Sequence, residues 1–164
     1  MVQSWKNSDN LYLKFGPDKA TPNIAGEYVT VGELREVELT ITLANLTQSE
    51  TPLSDVLMLP AGVRIEDVVV VTQSVAATGV AIDLGLIKNS DRSTEVDYDG
   101  LLAAFPLASM DTAGEKSIIT VGSSFAGALI GTTLGFTSLV TCSATTATAF
   151  TTGVIRVRIR YYKP

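Results

Sequence analysis

Arg156, Arg158 and Arg160 stand at every second position near the end of the chain and form its densest cationic grouping. On an extended strand that spacing puts all three guanidiniums on one face, with Ile155, Val157, Ile159 and Tyr161 on the other. Three like charges on one face repel each other, so the stripe calls for acceptors. These are either carboxylates of an adjacent strand, at Glu36 and Glu38, or an acidic surface on a partner. Asp91, Asp97 and Asp99 raise a second possibility, because Asp-x-Asp-Gly occurs within calcium loops. An EF-hand counted from Asp97 needs a glutamate at its last loop position and finds Ala108 there. A solvated turn held by local side-chain hydrogen bonds is the expectation instead.

The remaining reactive chemistry is sparse. There is no histidine, which removes the commonest general base, the commonest zinc ligand and every Ser-His or Cys-His nucleophile. The single cysteine, Cys142, excludes an internal disulfide. Set among Val140, Thr141, Ser143 and Ala144, it reads as a small buried residue. The glycine-rich run near residues 127–135 lacks the Lys-Ser/Thr that closes a phosphate loop. Carboxylate-only catalysis needs a converging acidic pair, and none stands out from the surface acids. The chain is therefore expected not to be an enzyme and to need no cofactor and no metal.

What must position these residues is sheet. Residues 57–86 read as a strand, a Pro60-Ala61-Gly62 turn, a long β-branched strand, a small-residue turn and a further strand, a hairpin arrangement at the centre of an all-β domain. Val37, Leu39, Ile41 and Leu43 alternate with Glu38, Thr40, Thr42 and Ala44, the mark of an antiparallel strand with one solvated face. One short helix is expected near residues 99–105, capped by Asp99 and ended by Pro106. Residues 117–155 carry no charged side chain. Recurring Ser, Thr and Gly and the lack of a basic flank argue against a membrane span and for strands packed between strands or subunits. Residues 1–26 are the least regular segment, with one short strand where Leu11, Leu13 and Phe15 alternate with Tyr12 and Lys14. They read as an arm reaching a neighbouring subunit, with Trp5 as anchor, or as a terminus crossing its own domain. The expected organisation is an arm over residues 1–26 and one β-sandwich domain over residues 27–164.

Whole-chain numbers bound the partners. With 164 residues the chain suits one domain that needs no staple. A net charge of −5 and a pI near 4.6 argue against nucleic acid and anionic membrane as partners. Charged residues make up 18%, below the roughly 25% of ordinary soluble domains, and mean hydropathy is +0.29. Either Thr and Ser solubilise a compact sandwich, or copies of the chain or a partner cover part of its surface. The first ten residues hold no apolar signal-peptide core, so folding is expected in a cytosol.

The string LMLPAGVRIEDVVVVTQSVAATGVAIDLGLI, with EVDYDGLLAAFPLASMDTAGE and the closing VIRVRIRYYKP, resembles a recurrent element of small virion proteins of tailed bacteriophages. The resemblance covers most of residues 10–164, and its motifs are structural, not chemical. It implies a capsid cement (decoration) protein: a jelly-roll β-sandwich that trimerises on the outer capsid surface and stabilises contacts between major capsid protein subunits. It implies folding in the host cytoplasm and residence in the virion. No motif of the family fixes individual contact residues; from the reading of the chain itself, Trp5, Tyr12, Arg156, Arg158 and Arg160 are the candidate partner-binding residues. Two other roles stay open for such a sandwich, a head-fibre or tail-associated module binding host glycan, and a head–tail joining protein.

Overall fold

A computed structural model of the chain describes residues 34–49, 51–53, 58–74, 81–145 and 152–164. Their strands are β1 (Arg35–Thr42), β2 (Thr51–Pro52), β3 (Met58–Leu59), β4 (Arg64–Ser74), β5 (Ala81–Lys88), β6 (Glu95–Pro106), β7 (Lys116–Ile119), β8 (Ser138–Ala144) and β9 (Val154–Tyr162). All pairings among them are antiparallel. One sheet runs β1-β9-β4-β7; the other runs β2-β8-β5-β6, with β3 also paired to β8. The two enclose one apolar core, the jelly-roll type of β-sandwich that the alternation in the sequence calls for. Trp5, Tyr12 and the rest of the expected arm lie outside the described residues.

Period-two patterning decides the four-stranded sheet. Val37, Leu39 and Ile41 of β1 face Ile159, Val157 and Ile155 of β9 in register, and all six are buried. Complete burial of a side chain such as Ile159 contributes roughly 2 kcal/mol against leaving it in water. The intervening Glu36, Glu38 and Thr40 are exposed.

The run 57–86 forms the expected strands but not a hairpin. β3 and β5 belong to one sheet and β4 to the other, so the chain crosses the sandwich at the Pro60 turn and again before β5. Four residues suffice to span two sheets about 10 Å apart. Gly62, at φ +79°, makes the turn and donates its N–H to the Leu134 carbonyl (2.8 Å). Among the described residues, β5 and β6 are the sequential strands that do pair, through the turn at residues 89–94.

The helix expected at residues 99–105 is instead the second half of β6. Its apolar run resembles a helix because two bulges put neighbours on the same side. Leu102 pairs with Leu84 and Phe105 with Ile82, while Gly100, Leu101 and Leu102 are buried in succession. Ala104 takes the left-handed backbone at the bulge (φ +48°) and gives its N–H to the Asp83 carboxylate at 2.7 Å. A helix this short is marginal alone, whereas an adjacent strand satisfies its backbone groups at once. Asp99, read as the cap, instead meets Asp97.

Residues 120–137 close one side of the sandwich. They bond backbone to backbone with Gly100, Leu101 and Ala103 of β6 and with Val63 and Ile65 at the start of β4. The approach is tight: a Cβ on Gly127 would lie 2.1 Å from the Asp99 carbonyl oxygen. β8, which follows, is buried along its whole length, as its small uncharged residues require. Among the described residues no helix is long and apolar enough to cross a membrane.

Candidate interaction surface

The three arginines share the solvent face of the four-stranded sheet, as their spacing dictates. β1 brings Glu36 and Glu38 opposite Arg160 and Arg158, and β4 brings Asp67 opposite Arg160 from the other side. Glu38 holds two of them, one on each oxygen: Arg158 Nε lies 2.8 Å from Oε2 and Arg156 Nε 3.2 Å from Oε1. Arg158 also sits 3.7 Å from Glu36. Gln73, with its amide oxygen oriented toward Arg156, accepts from Nη2 at 2.6 Å. Of the two sources of acceptors that the sequence leaves open, carboxylates of the same sheet are present.

Arg160 differs from its neighbours. It makes a two-pronged bond to Asp67, Nε to Oδ1 at 2.6 Å and Nη2 to Oδ2, and Asp67 is only 4% exposed. The Asp67 carboxylate, against some opposing burial, raises the pKa of the guanidinium above its ordinary value. The other pairs are more than a third exposed at one partner or both, where an ion pair contributes at most about 1 kcal/mol. The ladder thus has one anchored rung and several that water can loosen.

Beside the ladder the face turns apolar. Val69 and Val71 of β4 lie opposite Arg158 and Arg156, and Ile118 of β7, 48% exposed, lies opposite Val69. Val69 is itself buried and Val71 half-buried, so Ile118 is the aliphatic side chain that this neighbourhood offers to water.

The aspartates divide into two groups. Asp91 accepts from the backbone N–H of Ser93 and Thr94 and from the Thr94 hydroxyl (3.1, 2.8 and 2.5 Å). Those bonds hold its pKa down to about 2. This is the local turn that the sequence predicts. Asp97 is pushed the other way, first by burial and then by the hydrogen bond and charge of Asp99. Among the described residues no three His, Cys, Asp or Glu side chains are grouped to hold a metal ion. Cys142 is free and buried on β8.

The sequence missed Asp67 and the Val69–Ile118 neighbourhood. Asp67 sits in a β4 bulge between Ile65 and Asp67 that no local pattern announces. Trp5 and Tyr12 lie outside the described residues, so the ladder is the part of the expected contact set whose geometry is described.

No protein-family model and no curated protein matches the chain. Among solved structures the fold recurs in chains of phage capsids. A chain from the capsid of Ralstonia phage GP4 superposes with a TM-score of 0.57 at 17% identity, over 82% of this chain and 86% of that one. One from the cyanophage Pam1 capsid asymmetric unit gives 0.54 at 17% identity, over 82% and 87%. At that identity the likeness establishes a shared β-sandwich over the covered part of each chain.

Proposed function

We propose that this protein is a virion structural protein of a tailed phage, a cement (decoration) protein that sits on the outer capsid surface as a trimer and bridges major capsid protein subunits. The observation that carries the reading is the recurrence of the fold, over 82% of this chain, in chains from two phage capsids. The ladder face, with Ile118 exposed beside it, supplies a surface for a protein partner. A ligand that binds only the assembled shell adds its binding free energy to the stability of that shell, which is how such a protein acts without chemistry. Several weak contacts, repeated by the symmetry of an oligomer, give high avidity.

Sedimentation of the purified chain with and without empty capsid shells tests the reading, alongside native mass spectrometry of the free chain. Co-sedimentation and a trimer mass are expected. A chain that ignores shells, or that assembles into a six- or twelve-membered ring of the joining type, overturns it. Arg158→Glu reverses charge in the middle of the ladder and is expected to weaken docking or trimerisation. Removing residues 1–10 is expected to lower shell occupancy more than it lowers the melting temperature.

A further inference from the structure

The ladder face carries its charge in columns. Glu36 and Glu38 stand on β1, and Arg156, Arg158 and Arg160 on β9 beside it, with register unbroken along the pair. Glu36 lies level with Arg160 and Glu38 level with Arg158. These side chains are paired within the sheet and still open to water: Glu36 is 41% exposed, Glu38 40%, Arg156 36% and Arg158 34%. Arg156 and Arg158 reach Glu38 edge-on through Nε. A guanidinium has more N–H donors than one such bond uses, and a carboxylate accepts from several donors. Each group can therefore take an opposite charge from above without giving up the one beside it.

Contacts between copies of one chain are most often two-fold, and few aligned two-fold arrangements stack this face on itself. An axis across the strands, or one along β9, sets arginine over arginine. An axis along the seam between β9 and β4 lays Arg158 on Val69 and Glu38 on Ile118, which buries charge against aliphatic carbon. An axis along the seam between β1 and β9 does neither. It lays β1 of one copy over β9 of the other and keeps every residue at its own level. Glu38 then faces the partner's Arg158, and Glu36 the partner's Arg160, in both directions. Stacked sheets stand about 10 Å apart and cross at roughly 30°, so the middle pair, Glu38 with Arg158, meets most closely.

We infer that the ladder face is its own complement: a second copy of this chain stacks on it about a two-fold axis along the β1–β9 seam, Glu38 against the partner's Arg158. The inference rests on reading the ladder as a protein-docking surface, and it names the occupant. Two strands of this length overlap over an area on the order of 300 Å². That is below the roughly 800 Å² per partner of a standard stable interface, so the pair is weak in solution. Repetition over an assembled surface makes up the difference. A contact of this kind closes on itself, so it joins two copies, or two trimers, and leaves the trimer contact to another surface.

Sedimentation velocity of the full-length chain over a range of concentrations reads the contact as a doubling of mass. The screening length falls from about 30 Å at 0.01 M salt to about 3 Å at 1 M, and association is expected to weaken about tenfold or more between them. Glu38→Arg and Arg158→Glu each set like charge over like and are expected to weaken self-association about tenfold or more. Mixed together, the two variants are expected to regain it, because the bases of one then face the acids of the other. The double variant Glu38→Arg/Arg158→Glu keeps an ion pair within its own sheet, so its fold is not at stake. It is expected to pair with itself as the parent does and, dye-labelled, to refuse the parent. A mass that never doubles, a doubling indifferent to salt and to these substitutions, or a double variant that accepts the parent overturns the inference. A parent chain that pairs but ignores capsid shells keeps this contact and loses the cement role. One that binds shells and never pairs does the reverse.

Discussion

β1 and β9 stay in register through all eight pairs of their ladder, whereas β5 and β6 lose register three times. The first pair alternates apolar and charged side chains, so each residue's side is determined by parity, and charge crosses from strand to strand on the open face. The second pair carries adjacent buried residues and manages them by bulging, with glycine wherever backbone must touch backbone. A Cβ on Gly85 would stand 2.2 Å from the Tyr98 carbonyl carbon, and one on Gly127, in the segment that covers β6, 2.1 Å from the Gly100 carbonyl carbon. Tolerance should differ accordingly: the regular pair can lose side chains, and the bulged pair cannot accept even a methyl group.

Gly127→Ala offers the sharpest way to break this contrast. The clash is with backbone, which no rotamer relieves, so destabilisation of about 3 kcal/mol or more is expected in urea unfolding. A midpoint near that of the parent chain would show that residues 120–137 yield easily. Next in size is the anchored rung. Arg160→Met strands the buried Asp67 carboxylate and is expected to cost about 2–3 kcal/mol, most of it recovered when Asp67→Leu is added. If the double variant is as unstable as the single one, the pair contributes more than its burial explains.

Among the described residues, Thr72 on β4 and Thr141 on β8 each bury a hydroxyl that has no hydrogen-bond partner. Replacing either by valine removes a desolvated oxygen, and a gain of about 1 kcal/mol is expected in the same unfolding measurement. Arg158→Ala, in the exposed part of the ladder, is expected to cost less than about 1 kcal/mol. A loss comparable to that from Arg160→Met would mean that the whole ladder is coupled.

The smallest expected effects are those of pH, and they have opposite signs within one hairpin. Asp91 is more acidic folded than unfolded. Its contribution is complete above the ordinary 3.8 and is lost as pH falls from there toward about 2. Asp97 is less acidic folded than unfolded, so the folded state holds the proton more tightly. Stability declines as pH rises above 3.8 until Asp97 has ionised. Thermal melts of Asp91→Asn and Asp97→Asn against pH check both signs: the first is expected to lower stability at neutral pH and the second to raise it.

Much of this was legible in the sequence where the period was clean. The alternations at residues 37–43 and 155–161 predicted the strands, their buried faces and the common face of the arginines, because strand parity is local. The turn at Gly62 and the buried Cys142 were legible for the same reason. The apolar run at residues 101–105 misled, since a bulged strand and a short helix both place neighbouring residues on one side. The assumption that successive strands pair also failed, because nothing local tells a turn within a sheet from one that crosses to the opposite sheet.

From its own composition the chain determined that it has no histidine chemistry, no internal disulfide and an uncharged stretch between residues 117 and 155. It also determined where the side chains of β1 and β9 point. The fold decided which strand meets which, and with that which carboxylates reach the arginines, since Glu38 and Arg158 lie far apart in the chain and meet only through register. It decided too how the outer side of β6 is covered, because that depends on where residues 120–137 come to rest, a property of packing that no single segment carries.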